Sequence, residues 1–471
     1  MKGWGDKEKI QNTLREGQSP TKFKIQNSSL ALFNQSKIQN LKSKIATVLL
    51  SSLVATGLVL GARSLGVLQP WELKAYDQLM RSRPEEQQDS RLLIVTITEA
   101  DLQLPEQRNR KGSLSDQALE QLLNKLEPDQ PRAIGLDIYR DFPVGAGQRT
   151  LAQLIRNGTR FFAICKGRDR DLNHPGIAPP PELPSERQGF SDVVTDPDRV
   201  LRRHLIAMKP DPTSPCVAPY ALSAQLAFHY LEAEGITAQY TPNQELQVGN
   251  VVFKRLHNHR GGYQAADTWG YQTLLNYRLH RSPLEIAPTV TLTDVLRGSL
   301  QPKDVRDRIV LIGVTAQSFH DYLLTPYRSE QGTDQEVPGV IAQAQMVSQI
   351  VSAVKDGRSL LGVWPMWGDV VWIWGWSVIG GVLVWHGWGV RRSHSPPVDP
   401  SQSYLKRHSP VYLVLITSAA LGILYGASLG FFIQGIWVPL VPSALALIAT
   451  SGSAIALPIL QTKIQNPKSK I

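Results

Sequence analysis

The sequence predicts an α/β protein: a Rossmann-like, mostly parallel sheet in one large outer domain, held by four transmembrane α-helices. Two observations predict it. Short β-rich apolar runs alternate with helical stretches through the middle of the chain, and four long apolar segments stand towards its ends. A length of 471 residues gives room for two or three domains.

The formal net charge of +10 is unevenly spread. Residues 1–44 hold nine Lys/Arg and three acids, and residues 364–471 hold seven and two. That leaves 34 bases and 35 acids for residues 45–363, so the middle is near neutral. Excess base beside apolar segments is what cytoplasmic flanks of a membrane protein show. A nucleic-acid binder would carry a basic face on its folded part. Nucleic acid is therefore excluded as a partner, and the lipid bilayer is expected.

"IATVLLSSLVATGLVLGA", Ile45–Ala62, runs for 18 residues without a charge, roughly enough for a hydrocarbon core of about 30 Å. A signal peptide would have a shorter apolar region behind a short leader. Here the leader has 44 residues, so an uncleaved anchor is expected. Val370–Val390, Val411–Ile433 and Ile436–Leu460 are the other three spans. The loop "RRSHSPPVDPSQSYLKRH" carries four Lys/Arg and one Asp, whereas "QGIW" carries no charge. Basic N-terminus, basic middle loop and basic C-tail place both termini in the cytoplasm. Ser377 and Gly381 in the second span, and Ala444, Ala449 and Gly452 in the last, allow close helix packing, within one chain or in a homodimer. Trp364, Trp367, Trp372, Trp374 and Trp376 stand at one end of the second span and Trp385 and Trp388 at the other, as interfacial belts do. "KIQN" recurs at Lys24, Lys37 and Lys463, in ends that read as disordered low-complexity tails.

Past the anchor, "QPWELKAYDQLMRSRP" brings Leu73, Tyr76 and Met80 round at helical spacing, and Pro84 closes it. "RLLIVTIT" (91–98), "RAIGLDIY" (132–139) and "RFFAICK" (160–166) read as strands. Between them lie the helices of 115–128, with Ser115 as N-cap, and of 149–158, closed by Gly158. This βαβαβ order implies a parallel sheet with helices on its faces. A helix over 218–235, a buried strand over 308–315 and a helix over 337–357 follow. The Pro-rich 175–184 and polar 236–268 stretches are loops or edge hairpins. Cys165 and Cys216 are the two cysteines; a disulfide and two unpaired buried thiols are both open.

Several segments line up in order: "ELKAYDQLMRSRP", "LLIVTITEADL", "AIGLDIYRDFP", "LLNYR", "LTDVLRG", "DRIVLIGVTAQSFHDYLLTPY" and "VPGVIAQAQMVSQIV". Together they resemble the second CHASE family, extracellular sensory domains associated with bacterial cyclases and histidine kinases. The resemblance covers about residues 63–363 and reaches into the Trp-rich span. Where it implies a Pro-Gly-Val-Glu-Ile-His pattern, this chain has Ile341, Ala342 and Gln343 after Val340. It implies an outer sensor domain held by one N-terminal span and a cluster of C-terminal spans. With the apolar runs and charges read above, the expected organisation is a basic disordered tail (1–44), a first span (45–62), an outer sensor domain (63–363), a second span (364–390), a cytoplasmic loop (391–410), two further spans (411–433 and 436–460) and a tail (461–471). Relatives attach a kinase or cyclase after the last span. Only "QTKIQNPKSKI" follows Leu460, so a separate kinase or cyclase partner is expected.

The chemistry points to binding, without a catalytic constellation. "GAGQRT" (145–150) lacks the third glycine of a dinucleotide loop and no Gly-Lys-Ser/Thr appears, so no cofactor is expected. "HNHR" (257–260) offers two imidazoles, short of the three or four ligands of a zinc site, and no metal is expected. Nothing resembles a nucleophile elbow. Carboxylates at strand ends are better placed, because ligands of open parallel sheets gather outside the strands' carboxyl ends. Asp101, Asp137, Asp321 and Thr325 are the candidate ligand-binding residues. A ligand with amine or cationic groups, or a metal ion, suits these acids. The competing use is structural: such side chains cap helices and pin loops through backbone N–H groups. The expected function is a membrane-anchored sensory receptor. The alternatives are an extracytoplasmic enzyme and a structural envelope protein.

Overall fold

The computed structural model describes residue 42 and residues 45–169, 173–327, 336–388 and 410–465. The expectations for the tail before residue 42, the loop 391–409 and residues 466–471 lie outside them. The chain divides into two compact units. One comprises Ala62–Asp369 with Leu424–Val441, and the other comprises the apolar helices.

In chain order the elements are α1 (Ile45–Ser64), α2 (Gln69–Arg81), β1 (Leu92–Ile97), α3 (Asp116–Leu126), β2 (Ala133–Asp137), α4 (Arg149–Asn157), β3 (Phe161–Cys165) and β4 (Gln188–Phe190). Then come β5 (Arg203–Ala207), α5 (Leu222–Glu232), β6 (Ala238–Tyr240), β7 (Leu246–Val248), β8 (Val251–Phe253), β9 (Tyr271–Leu274), β10 (Thr289–Thr291), α6 (Leu292–Leu296), α7 (Pro302–Val305) and β11 (Ile309–Val314). The rest are β12 (Tyr322–Leu324), β13 (Glu336–Pro338), α8 (Gly339–Asp356), β14 (Gly362–Val363), α9 (Met366–Trp388), α10 (Pro410–Ile433), β15 (Ile436–Trp437) and α11 (Leu440–Gln465).

The larger unit is built on a six-stranded sheet of order β10-β1-β11-β2-β3-β4. Every neighbouring pair in it is parallel. The late strand β11 enters between the two earliest, with Leu93 opposite Val310 and Val310 opposite Ile134. Successive strand residues alternate between two cores. Leu92, Ile94, Ile309 and Leu311 join the core that holds α5 and α8, whereas Leu93, Val95, Val310 and Ile312 join the one holding α3 and α4. A period of two on a sheet covered on both faces requires this. Ser115 caps α3 as the sequence predicts, its Oγ accepting the Ala118 N–H at 3.0 Å.

The predicted hairpin region forms an antiparallel ladder, β6-β7-β8, and β5 pairs antiparallel with β9. Cys165 at the end of β3 is joined to Cys216 by a disulfide, with Cα atoms 5.4 Å apart. The sequence left that pairing open.

Among the described residues three helices are long and apolar enough to cross a membrane: Ile45–Ser64, Met366–Trp385 and Tyr412–Ile433. The expected fourth span differs at both ends. Residues 436–437 are not helical; they pair as a strand with 362–363. The reason is the Trp437 indole, which is buried against the rings of Tyr76 and Tyr263, at 5.0 and 5.8 Å. α11 starts only after Pro439 and runs to Gln465, so Lys463–Gln465 of the last "KIQN" is helical rather than an irregular tail. Lys and Gln extend an existing helix at little cost, and the residue before Pro467 disfavours continuing it. Within the helical unit the small residues serve as expected. Ser377 Oγ donates to the Ser52 carbonyl at 3.2 Å, and Thr450 Oγ1 to the Ser377 carbonyl at 2.9 Å.

Close packing of α8 on the sheet rests on Gly313 in β11, where an added Cβ would overlap the Cβ of Val340. A branched carbon next to the helix backbone has little room to give. Gly313→Ala should therefore cost about 1–3 kcal/mol, whereas Gly147→Ala, with open space around it, should stay within about 0.5 kcal/mol. Denaturant melts of the full chain in detergent would show the difference; equal midpoints would refute this packing.

Candidate functional site

Outside the carboxyl ends of β2, β3 and β11 lies a cleft of about 470 Å³. Asp137, the last residue of β2, and Tyr139, two residues past it, line it from one side. Lys166 follows β3, His320 and Asp321 come from the loop between β11 and β12, and Gln343 sits in the second turn of α8. Ile164, Val193, Leu323 and Met346 supply apolar wall. The loop reaches its position through His320, which takes a left-handed backbone (φ 51°). Tyr322 then donates its hydroxyl to the Thr315 carbonyl at 2.9 Å, folding the loop back on the end of β11. The Asp321 carbonyl accepts the Gly339 N–H at 3.1 Å. A Cβ at Gly339 would stand 2.6 Å from the Asp321 carboxylate, so a larger residue there would push that carboxylate aside.

Burial is the largest influence on Asp137, pushing its carboxyl up to about 8, with the Asp321 charge adding to the rise. Asp321 itself stands at the solvent-exposed mouth, but its carboxyl is shielded enough to be raised, against the opposing charge of Lys166. The donors nearby are engaged. Tyr139 Oη and Ser191 Oγ share a hydrogen bond of 2.7 Å. Lys166 Nζ stands 4.0 Å from Asp192, whose other carboxylate oxygen accepts the Gly167 N–H at 2.8 Å.

Of the four predicted residues, the structure brings Asp137 and Asp321 together and leaves the other two elsewhere. Asp101 is buried and serves the backbone. One oxygen accepts from the Thr98 N–H and hydroxyl, at 2.8 and 2.6 Å, and the other from those of Thr293, at 2.8 and 2.5 Å. It ties the end of β1 to the first turn of α6. Thr325 is fully buried, its hydroxyl accepting the Tyr327 N–H at 3.3 Å. Lys166, Tyr139 and Gln343 were not predicted. Lys166 had a signal, standing just past a strand; Gln343 had only its place one turn into a helix.

Among the described residues no group of three or more His, Cys, Asp or Glu is arranged to hold a metal ion. His259 of the "HNHR" loop has the Gln264 amide oxygen at 3.4 Å from its Nδ1.

The family model of the CHASE2 domain matches residues 54–382. No curated protein and no solved structure matches the chain significantly.

The raised carboxyl of Asp137 gives stability a pH dependence of known sign. An unfolded aspartate ionises near pH 4, the folded one only near 8. Below the first value both forms are protonated. Between the two the unfolded chain gains by ionising, so stability falls as pH rises, then levels above about 8. Asp137→Asn removes this cost. The variant should melt close to the parent at pH 4.5 and a few degrees above it at pH 8.5. A gap that does not widen with pH would show that burial does not hold the acid neutral.

Proposed function

The chain belongs to the CHASE2 family of extracellular sensory domains, and from this we propose that it is a membrane-anchored sensory receptor. In this reading the sheet-based unit takes up a stimulus outside the membrane, in the cleft at Asp137 and Asp321. The apolar helices pass the resulting change to a separate partner, a kinase or cyclase. The observation that carries the reading is the extent of the match, which starts inside the first apolar helix and ends inside the second. The matched stretch thus includes the sheet and parts of both helices that flank it. CHASE2 is a sensory family, not a catalytic one.

Four spans with both termini in the cytoplasm complete the proposal. The basic flanks support it. So does α11, whose 26 residues would extend about 39 Å, enough for a fourth crossing. The Cys165–Cys216 disulfide supports an oxidising surrounding for the sheet unit.

A reporter active only in the cytoplasm should work when fused after Ile471 and stay silent when inserted in the 236–268 loop; activity from the loop would overturn the topology. Affinity purification of the full chain from native membranes should co-purify a histidine kinase or cyclase. Repeated recovery of the chain without either would leave the structural envelope reading in its place.

A further inference from the structure

We propose that the cleft binds a primary ammonium group carrying an apolar body, the ammonium held by Asp137, Asp321 and the side-chain carbonyl of Gln343. The proposal rests on the sensory reading only in taking this cleft as the place where a stimulus enters.

Three acceptors converge on the cleft from three different elements. Asp137 is 8% exposed, and among the described residues no side chain or backbone N–H donates to its carboxylate. Gln343 is 5% exposed, and its Oε1 is buried without a hydrogen-bond partner. No described donor reaches the Asp321 carboxylate either. A buried acceptor left unmatched is costly, and most in folded proteins are matched. Gln343 Oε1 is such an acceptor, and it stands in one cleft with two carboxylates that no described donor reaches, one nearly buried and one at the exposed mouth; this indicates that the missing donors come from outside the chain.

The chemistry of the absent donor follows from the count and the walls. An ammonium offers three donors and no acceptor, one for each group here. An anion would face two acids, with Lys166, which already stands beside Asp192, and the His320 imidazole as the bases lining the cleft among the described residues. A divalent cation takes six or more oxygens and keeps water, which walls of Ile164, Val193, Leu323 and Met346 do not supply. Those walls fit an apolar body, and about 470 Å³ falls in the range of small-molecule sites.

Binding is coupled to protons. The charged and titratable groups facing Asp137 are Asp321 and His320 from the β11–β12 loop, Lys166 after β3, Tyr139 after β2 and Asp192 after β4; α8 contributes the neutral Gln343. Burial raises both carboxyls, so an ammonium selects the ionised pair and expels a proton. Affinity therefore climbs as pH rises towards about 8, while an alkylammonium keeps its own proton to about pH 10.

The test is calorimetric titration of the full chain in detergent with phenethylamine, its neutral isostere 2-phenylethanol, 3-phenylpropionate and calcium chloride. Phenethylamine should bind saturably, about tenfold or more tighter than the alcohol. It should bind more tightly at pH 8 than at pH 6, with a heat that changes with the buffer's ionisation enthalpy. Asp321→Asn at the exposed mouth and Gln343→Leu should each weaken it about tenfold, with melting curves showing both variants folded. Equal binding of amine and alcohol, preference for the anion or calcium, no saturation by the amine, or indifference to both substitutions would each overturn the proposal. Amine binding by a chain that recovers no kinase or cyclase would leave the site standing and remove the sensory reading. A recovered partner without amine binding would do the reverse.

Discussion

A sheet in which every neighbouring pair is parallel has to be buried on both faces, and the larger unit is arranged around that requirement. β1, β2 and β11 are buried along their whole length, and alternate residues enter cores on opposite sides. Helices occupy both faces, so polar groups of the strands can meet solvent only at the strand ends. Asp137 stands at that limit, as the last residue of β2 and still buried. Its raised carboxyl follows from where the sheet stops, and so does the cleft it lines.

Several buried charges of the sheet unit stand in matched sets. Arg202 is completely buried, yet it meets Asp77 of α2 at 2.7 Å, Asp196 at 2.8 Å and Asp198 at 2.7 Å. Arg63 meets Glu72 at 2.9 Å and Asp369 at 2.8 Å, and donates to the Gly261 carbonyl at 2.5 Å. Such sets add little net stability, but removing one member leaves a buried charge uncompensated at about 3–5 kcal/mol. Their effect is therefore on geometry. Arg63 ends α1 and Asp369 begins α9, and Glu72 between them belongs to α2. The contrast with Asp137 and Gln343 is direct: elsewhere in the interior the acids have partners, and in the cleft they do not.

The sequence carried the sheet's centre clearly because buried strands are dense in β-branched and apolar residues. "LLIVTI" and "IVLIGV" are continuous apolar runs of this kind, and each lies in the sheet within one residue of its predicted bounds. The edges were harder to read. β4 is only Gln188–Phe190 behind a Pro-rich stretch, and β10 only Thr289–Thr291; three residues have no period to detect. Insertion of β11 between β1 and β2 is a long-range pairing that no local pattern specifies. Trp437 shows the same limit, since its apolar neighbours resemble a membrane span while its burial against Tyr76 makes it part of a strand.

The candidate site divides for a physical reason. Asp101 and Asp137 both stand at strand ends, and composition alone does not separate them. What separates them is the next donor within reach. The loop after β1 turns at once into a short helical segment, and α6 brings the N–H and hydroxyl of Thr293 to the free oxygen of Asp101. After β2 the chain leads away through Ile138 and Tyr139, whose hydroxyl is engaged with Ser191. Asp137 is left with a second acid as its nearest charged influence. Gln343 is the corresponding case on a helix: periodicity can place it on the buried side, but only the fold leaves its carbonyl unmatched. An acid that finds donors within its own chain becomes structure, and one that does not remains available for a ligand.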